Sequence, residues 1–241
     1  MSILSTSGLT KIYGSGENEV HALRDVTLTV EKGEFVAIVG TSGSGKSTLL
    51  HMLGGLDRPT SGSVTVDGRD IFSLKEEALT IFRRRKIGFV FQHYNLVPVL
   101  NVYENIVLPV RLDGGTVDRE YIHSIIDTLG LSAKLQNLPN QLSGGQQQRV
   151  AIGRALASKP AIILADEPTG SLDSRTSQDV LGLLKITSRK FSQTIVIITH
   201  NEEIAQLADR IVRIEDGMLK NTGKAAPMPP ETGRQAGKGG L

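Results

Sequence analysis

The stretch of sequence that decides the fold is Gly40-Thr41-Ser42-Gly43-Ser44-Gly45-Lys46-Ser47. It follows the apolar run from Phe35 to Val39 and precedes the run from Thr48 to Leu53, so it lies where a buried strand is predicted to turn into a helix. The three glycines let the backbone curl until successive N–H groups point inward at an anion. The helix start adds its unpaired N–H groups and the positive end of its dipole. The pattern predicts a phosphate-binding loop.

Two side chains of this stretch have predicted roles of their own. The Lys46 ammonium would supply positive charge to the β- and γ-phosphates of a nucleotide, and the Ser47 hydroxyl can ligate Mg²⁺. A glycine-rich turn that merely exposes a lysine would match the same bare pattern. The strand before the stretch and the helix after it favour the nucleotide site, which is the P-loop or Walker A arrangement.

Length and composition are those of an ordinary globular protein. The 241 residues suffice for one large domain or two small ones with a sizeable core. Apolar residues make up 39% of the chain, but no apolar run approaches the roughly 20 residues that span a bilayer. The N-terminal residues lack the charged-then-apolar order of a signal peptide, so we expect a cytoplasmic protein. The absence of cysteine excludes disulfides and thiolate zinc sites.

The net charge of +2 is unevenly distributed along the chain. From Lys220 onward there are four basic residues and one acid, so the preceding body carries a net charge of −1. A nearly neutral body argues against nucleic-acid binding, which requires an excess of cations. The basic run from Arg83 to Lys86 is interpreted as a solvated surface, the usual fate of such a run.

The pattern along the chain predicts one domain over residues 1–221 with three parts. Residues 3–39 and 63–66 read as strands joined by turn formers, which predicts an N-terminal antiparallel β subdomain. From about 96 to 145, helical periodicity broken at Pro98, Pro109, Gly114-Gly115 and Pro139 predicts an inserted helical subdomain. Thereafter helices and strands alternate, which implies parallel strands with crossover helices. We expect an α/β fold with a mainly parallel sheet, of the P-loop NTPase or RecA-like kind.

Two further segments complete this pattern. A helix is predicted from Asn201 to Ala208, between the last two strands of the parallel sheet. Residues 222–241 contain three prolines, a glycine-rich end and few apolar side chains, so this tail is predicted to be disordered.

A second phosphate-site element is the apolar run from Ile162 to Ala165, which ends in Asp166 and Glu167. A strand of this kind places its carboxylates at the carboxyl edge of a parallel sheet, where open α/β sheets bind ligands. Asp166 is then suited to hold Mg²⁺, the Walker B role, and Glu167 can orient the attacking water or accept its proton. Alternatively, Asp166-Glu167-Pro168 simply caps a loop, which the presence of a P-loop makes the weaker interpretation.

A third element is Leu142-Ser143-Gly144-Gly145-Gln146. Ser143 and Gln146 have the spacing of a capping box, which is a sufficient structural reason for both residues. A capping box does not require two glycines between them, however, and Gly144 and Gly145 would leave the first N–H groups of the helix open to an anion. The chain thus has two phosphate-facing helix starts, although one nucleotide needs only one P-loop.

Taken together, these motifs resemble those of the ATP-binding-cassette (ABC) ATPases. The run from Leu142 to Ile152 is similar to the family's signature motif, and Gln92, the segment Ser171-Leu172-Asp173 and His200 stand where the family has its Q-loop, D-loop and switch histidine. The resemblance extends from about Ile3 to Leu219. In that family two chains pack head to tail, and each ATP lies between the P-loop of one and the signature of the other. The resemblance therefore implies a second copy of the chain as partner, with ATP and Mg²⁺ bound.

The resemblance assigns roles to matching residues. The residues implied in catalysis are Glu167, His200, Gln92 and Lys46. Those implied in ATP binding are Tyr13, Gly40, Thr41, Ser42, Gly43, Ser44, Gly45, Lys46, Ser47, Thr48, Gln92, Ser143, Gly144, Gly145, Gln146 and Asp173. Those implied in holding Mg²⁺ are Ser47, Gln92 and Asp166. For Tyr13, expected to stack on adenine, packing inside a β segment is the plainer alternative, and an isolated histidine such as His200 would otherwise be a surface residue.

Longer motifs resemble the branch of the family that contains MacB, LolD and the BceA-type ATPases, namely Glu19 to Val26, Met52 to Gly62, Arg83 to Gln92 and Asp166 to Asp173. This implies an integral membrane permease of the FtsX or MacB kind as partner, which would hold the chain at the inner face of the membrane. Export of or resistance to macrolides or antimicrobial peptides is the leading interpretation. Lipoprotein extraction as by LolD and control of cell-wall hydrolysis at division as by FtsE are the alternatives. A DNA-associated ATPase is disfavoured by the nearly neutral body.

Overall fold

The structure is a computed structural model that describes residues 1–201 and 205–224. Its first sheet is antiparallel, with strand order β2-β1-β4-β5. These strands are β1 (Ser2–Tyr13), β2 (Val20–Glu31), β4 (Ser61–Val66) and β5 (Arg69–Asp70). Along β2 the apolar Leu23, Val26, Leu28 and Val30 are buried and alternate for the most part with exposed residues, as expected of a sheet with one face on the core. The predicted antiparallel subdomain is therefore confirmed, except that residues 35–39 belong to the second sheet, where they pair in parallel with two other strands.

The second sheet has the strand order β10-β9-β3-β8-β7-β6. Its strands are β3 (Phe35–Val39), β6 (Ile87–Val90), β7 (Ile162–Asp166), β8 (Thr194–Thr199), β9 (Arg210–Glu215) and β10 (Met218–Lys224). All neighbouring pairs are parallel except β9 and β10, which form a hairpin at the edge. Every residue of β3 and β8 is buried, which is why these strands read as continuous apolar runs rather than alternating ones.

Alternate residues of β3 face two different hydrophobic clusters. Val36 and Ile38 pack with the antiparallel sheet and the helix α1 (Lys46–Leu53), whereas Phe35, Ala37 and Val39 pack with the helices on the other face. Those helices are α3 (Val102–Leu112), α4 (Arg119–Thr128), α5 (Gly144–Ala157) and α6 (Ser174–Lys190), and the helix α2 (Glu76–Lys86) precedes β6. The parallel sheet is thus covered on both faces, as its apolar strands require.

Helices α3 and α4 lie between β6 and β7 in the chain, and α3 packs against α5. Side chains cap both of their starts, because Asn101 accepts a hydrogen bond from the N–H of Glu104 and Asp118 accepts one from the N–H of Tyr121. Within the described residues, no helix has the length and apolar character needed to cross a bilayer.

Two predicted boundaries are wrong. Pro109 was expected to break a helix, but it lies inside α3, where Val102, Ile106 and Val107 are buried. Their packing outweighs a proline penalty of about 3 kcal/mol. The tail was expected to start at Thr222, but β10 continues to Lys224 because its backbone still pairs with Ile211 and Arg210 of β9. Residues 225–241 lie outside the described residues, as do residues 202–204 of the helix predicted over 201–208. Of the rest of that predicted helix, Ala205 is helical and residues 206–208 form a turn and a bend.

The interpretation of the basic run as a solvated surface is also incorrect in part. The guanidinium groups of Arg84 and Arg85 contact the Asp113 carboxylate at 2.7 and 2.8 Å, and Lys86 pairs with Asp67 at 2.7 Å. Because Asp113 is the C-cap residue of α3, the first two contacts join the end of α2 to the end of α3. The arginine pair therefore links the predicted insert to the rest of the domain.

Candidate functional site

The loop from Gly40 to Gly45 joins β3 to α1, as the sequence predicted. Gly43 and Gly45 have φ angles of +78° and +101°, which L side chains rarely adopt, so glycine is required there. No side chain caps α1, and its first hydrogen bond runs from Leu49 N–H to the Gly45 carbonyl at 2.8 Å. The N–H groups of residues 46–48 precede that bond and can bind an anion.

Other backbone segments of the chain pack closely against this loop. A Cβ on Gly40 would lie 2.3 Å from the Ile214 carbonyl oxygen, and one on Gly45 would lie 2.4 Å from the Ala22 carbonyl oxygen. The Gly217 N–H donates to the Ser44 carbonyl at 3.0 Å. The turn between β9 and β10 and the start of β2 therefore fix the shape of the loop, which the sequence did not reveal.

The Lys46 side chain crosses this loop and is only 7% exposed. Its ammonium donates to the Gly40 carbonyl at 2.9 Å and the Thr41 carbonyl at 2.7 Å, while the buried Ser44 hydroxyl has no hydrogen-bond partner among the described residues. A groove of about 1080 Å³ opens in front of the loop. Its lining consists of Glu19, Val20, His21, Ala22, Arg24, Ser42, Gly43, Gly45, Lys46, Ser47, Thr48, Glu167, His200, Asp216, Gly217 and Met218. This volume and the cationic loop fit a nucleotide with its phosphates.

Asp166 ends β7 between β6 and β8, so the parallel register places it at the carboxyl edge of the sheet. Burial raises the pKa of the Asp166 carboxyl; the neighbouring charges of His51 and Lys46 lower that pKa, and Glu167 raises it. Within the described residues, no cluster of three or more His, Cys, Asp or Glu could hold a metal. One carboxylate with the Ser47 hydroxyl fits Mg²⁺, which usually binds few protein ligands together with substrate phosphates and water.

Glu167 and His200 form a pair at the edge of the groove. The His200 Nδ1 and Glu167 Oε2 atoms lie 2.9 Å apart, and both residues line the groove beside Lys46. Glu167 has a φ of +40°, a strained value for this residue type, and its N–H donates to the Ile198 carbonyl at 3.0 Å. Strain of this kind occurs at functional positions. The structure therefore brings together Glu167 and His200, two of the residues predicted to be catalytic, which follow the neighbouring strands β7 and β8.

Gln92 and Tyr13 do not line the groove. Gln92 follows β6, and its side chain packs on Gly170, whose Cβ would lie 2.8 Å from Gln92 Nε2. The Tyr13 hydroxyl donates to Asp57 at 2.7 Å, and the Lys11 ammonium lies 4.7 Å from the ring centroid. Burial and the Asp57 contact raise the pKa of Tyr13. Both residues lie near the groove rather than in it.

Val20 is a groove residue that sequence reasoning missed. It is 61% exposed and directly opposite Tyr13 in the pairing of β1 with β2. The two residues therefore present an exposed apolar surface beside the P-loop, which fits the face of a base. The signal was present in the sequence, because a hairpin between the predicted strands places Val20 across from Tyr13.

The predicted signature residues start α5 at a distance from the groove lining. Ser143 and Gln146 form the predicted capping box, with hydrogen bonds of 3.0 and 3.3 Å. A Cβ on Gly144 would lie 2.7 Å from Tyr94 Oη, and one on Gly145 would lie 2.4 Å from Thr176 Cγ2. Packing within the chain thus provides a reason for both glycines besides the predicted approach of an anion.

Asp173, which stands where the family has its D-loop, caps α6. Its carboxylate accepts hydrogen bonds from the Thr176 N–H at 3.0 Å and the Thr176 hydroxyl at 2.7 Å. These bonds, the backbone one first, lower the pKa of Asp173. The residue therefore has a local structural role, and its role in ATP binding stays a prediction.

Comparisons with known proteins agree with this architecture. The family described as ABC transporter matches residues 23–170. The chain is 49% identical over 224 residues to the lipoprotein-releasing system ATP-binding protein LolD of Geobacter metallireducens, with 90% of this chain and 98% of that protein covered. It is 46% identical over 234 residues to the macrolide export ATP-binding/permease protein MacB of Syntrophobacter fumaroxidans, with 95% of this chain covered but only 33% of that protein.

A solved structure shows the same fold. A dimeric ATP-binding cassette in a post-hydrolysis state with ADP and Pi has a TM-score of 0.82 and 42% identity to this chain, with 93% of this chain and all of that one covered. Two findings support a family assignment: the family match covers more than half of the chain, and the identity to LolD extends over nearly the full length of that protein. The chain belongs to the ABC transporter family, as an ATP-binding subunit of the branch that contains MacB and LolD.

Proposed function

We propose that two copies of this ABC ATPase enclose ATP between them and that ATP hydrolysis drives a membrane permease of the FtsX or MacB kind. One observation supports the enclosure of ATP between two copies. The groove at the P-loop contains Lys46, Glu167 and His200, but none of residues 143–146 is among its lining. The second helix start needs a ligand of its own, and a head-to-tail partner would place it over the groove. A solved relative at 42% identity is described as dimeric.

The groove and the residues beside it have groups that hydrolysis of ATP would use. Lys46 and the N–H groups at the start of α1 would stabilise the negative charge of the phosphates. Glu167 would accept a proton from the attacking water, and His200, at 2.9 Å from Glu167, would bond the γ-phosphate and keep the carboxylate oriented. Ser47 and Asp166, with Gln92 from the adjacent loop, are the residues that would hold Mg²⁺. The ion when bound supplies charge neutralisation at the phosphates.

A second groove offers a surface for the permease. It has a volume of about 470 Å³ and lies among α2, β6, α3 and α5. The stacked rings of Phe89 and Phe91, 5.5 Å apart, and the 43% exposed Leu56 belong to its lining. We call this surface the aromatic groove. An apolar groove of this kind takes one face of an amphipathic helix, here a cytoplasmic helix of the permease. Docking there would keep the chain at the inner face of the membrane.

The segment from Gln92 to Glu104 is a second candidate for docking of the permease, with Val99 and Tyr103 as its contacts. Val99 is 79% exposed, but Tyr103 is partly buried and packs against the core cluster. A substitution at Tyr103 would therefore disturb the fold as well as the surface. Leu56 is a better probe of docking.

The names of the relatives favour two transport roles. Several are macrolide exporters and one is a lipoprotein-releasing protein. We infer export of or resistance to macrolides or antimicrobial peptides as the leading role. Lipoprotein release is the second candidate, because LolD matches over 98% of its length. The substrate is determined by the permease, so the identity of the co-purified permease distinguishes the two.

The substitution Leu56→Glu tests the docking. It places a charge in the aromatic groove, so we expect the permease no longer to co-purify while phosphate release by the isolated chain stays within about twofold. Ile81→Glu is the matched control, because Ile81 on α2 is 42% exposed and outside the aromatic groove. Retention of the permease by Leu56→Glu, or its equal loss from both variants, would refute docking in this groove.

A further inference from the structure

The loop that carries Gln92 is held in an unusual conformation. Tyr94 and Asn95 have φ angles of +40° and +49°, so two consecutive residues other than glycine lie in the left-handed region. Such a backbone conformation is strained, and it persists only where surrounding contacts impose it. The contacts that hold residues 91–95 therefore also determine where Gln92 lies.

Arg154 of α5 provides the strongest of these contacts. Its two terminal guanidinium nitrogens donate to the Tyr94 carbonyl at 2.7 Å and the Asn95 carbonyl at 2.6 Å. Burial lowers the pKa of the guanidinium. The planar fork of arginine can hold two successive carbonyls at once, which the single ammonium of lysine cannot do with the same geometry. Arg154 thus fixes the two left-handed residues directly.

Two other residues of α5 also contact this loop, one before Gln92 and one after it. Gln148 is completely buried, and its Nε2 donates to the Phe91 carbonyl at 3.3 Å. The Tyr94 hydroxyl lies against Gly144, the first residue of α5. The helix, about 21 Å long from its 14 residues, therefore contacts the loop before and after Gln92. The segment that carries Gln92 and the helix that starts at the signature are joined into one unit.

We propose that Arg154 is a positioning residue for ATP hydrolysis, which acts by holding the Tyr94 and Asn95 carbonyls and thereby fixes the position of Gln92, the residue that the proposed function assigns to Mg²⁺. This inference rests on the proposed function. Arg154 also lines the aromatic groove with Phe91 and Asn95. A permease helix seated there contacts the residue that sets the position of Gln92.

The substitution Arg154→Lys tests the proposal. It keeps the charge but loses the two-pronged contact, and it leaves the P-loop unchanged. We expect kcat for MgATP to fall at least tenfold, while the Kd for ATP stays within twofold. Lys159→Gln is the matched control, because Lys159 lies two residues after the end of α5 and its ammonium pairs with Asp118 at 2.8 Å. Its kcat is expected to stay within twofold of the parent chain.

The substitution Asn95→Pro tests the proposal by changing the conformation of the Gln92 loop itself. It replaces the first test if Arg154→Lys folds poorly. Proline cannot adopt a φ of +49°, and Asn95 is exposed, so the loop changes while the core does not. We expect the same loss of kcat at unchanged ATP affinity.

The outcomes separate this proposal from the proposed function. If the unmodified chain releases no phosphate from MgATP, the proposed function fails. If it does and both variants keep their kcat, only the positioning role is refuted. A loss of ATP affinity equal to the loss of kcat would also refute that role, because it would indicate damage to the site as a whole.

Discussion

Gly40 and Gly43 stand in the same loop, but glycine is required at the two positions for different reasons. A Cβ at Gly40 would lie 2.3 Å from the Ile214 carbonyl oxygen, so a neighbouring backbone excludes it. Gly43 has a φ of +78° with nothing within 4 Å of a Cβ, so only its own dihedral angle requires glycine. A sequence shows both as one motif, and only the structure separates them.

This difference predicts unequal effects of alanine. Gly43→Ala is expected to lower the free energy of unfolding by about 1 kcal/mol, the cost of a left-handed side chain. Gly40→Ala is expected to cost about 3 kcal/mol, because a backbone carbonyl cannot move aside cheaply. It should also lower ATP affinity more than Gly43→Ala. Denaturant unfolding and nucleotide titration of both variants measure this, and an equal or larger cost at Gly43 would contradict it.

The sequence predicted the residues of the site to the extent that topology determines them. Glu167 and His200 follow the adjacent strands β7 and β8, so a parallel sheet brings them to one edge whatever the loops do. The positions of the Gln92 and Tyr13 side chains depend instead on tertiary contacts. Gln92 packs on Gly170, and the Tyr13 hydroxyl bonds Asp57. Both contacts join residues far apart in the chain, so no local sequence pattern predicts them.

The start of α5 is the element at which two explanations of one motif can be separated. Gly145 lies against Thr176 of α6, so the glycine is required for packing whether or not a phosphate approaches the helix. The sequence predicted a different reason, namely that Gly144 and Gly145 let an anion approach the helix start. Packing and anion access can both require glycine at position 145, and a double variant at positions 145 and 176 separates the two.

Gly145→Ala is expected to cost about 1 to 3 kcal/mol of stability, because its Cβ would lie 2.4 Å from Thr176 Cγ2. Adding Thr176→Ser removes that methyl group and keeps the hydroxyl that bonds Asp173, so stability should return. Phosphate release should stay low, because the alanine methyl still shields the helix start. Thr176→Ser alone is the control. Recovery of turnover together with stability would show that the glycine serves packing only.

Elements were predictable where burial dominates and uncertain where tertiary contacts compete with local preference. The wholly buried β3 has the same bounds as the apolar run from Phe35 to Val39. The predicted alternation of helices and strands is present as well, with the amphipathic α6 and the buried β8 among its elements, because their apolar patterns match their environments. Pro109 was misjudged because local propensity gives no measure of the packing of α3. The extension of β10 to Lys224 was missed because backbone pairing with β9 does not require apolar side chains.

At the scale of the whole molecule, α5 connects three regions: the signature residues, the loop that carries Gln92 and the aromatic groove. Its start has the signature residues, its middle holds the Gln92 loop through Gln148, and Arg154 reaches the aromatic groove. The pair formed by Arg84 and Arg85 with Asp113 adds a link between α2 and α3. In one chain the lining of the P-loop groove includes none of the residues at the signature start, which is why we propose that the working site is formed by two copies.

The most direct test of this central claim is the solution mass of the Glu167→Gln chain, measured by light scattering with and without ATP. Loss of the carboxylate should slow turnover by at least about 100-fold and leave ATP bound. We predict a rise with ATP from the 25.9 kDa of one chain to twice that mass, and a return to one chain when Ser143→Arg is added. A mass of one chain at saturating ATP and Mg²⁺, or a dimer indifferent to Ser143→Arg, would contradict the account.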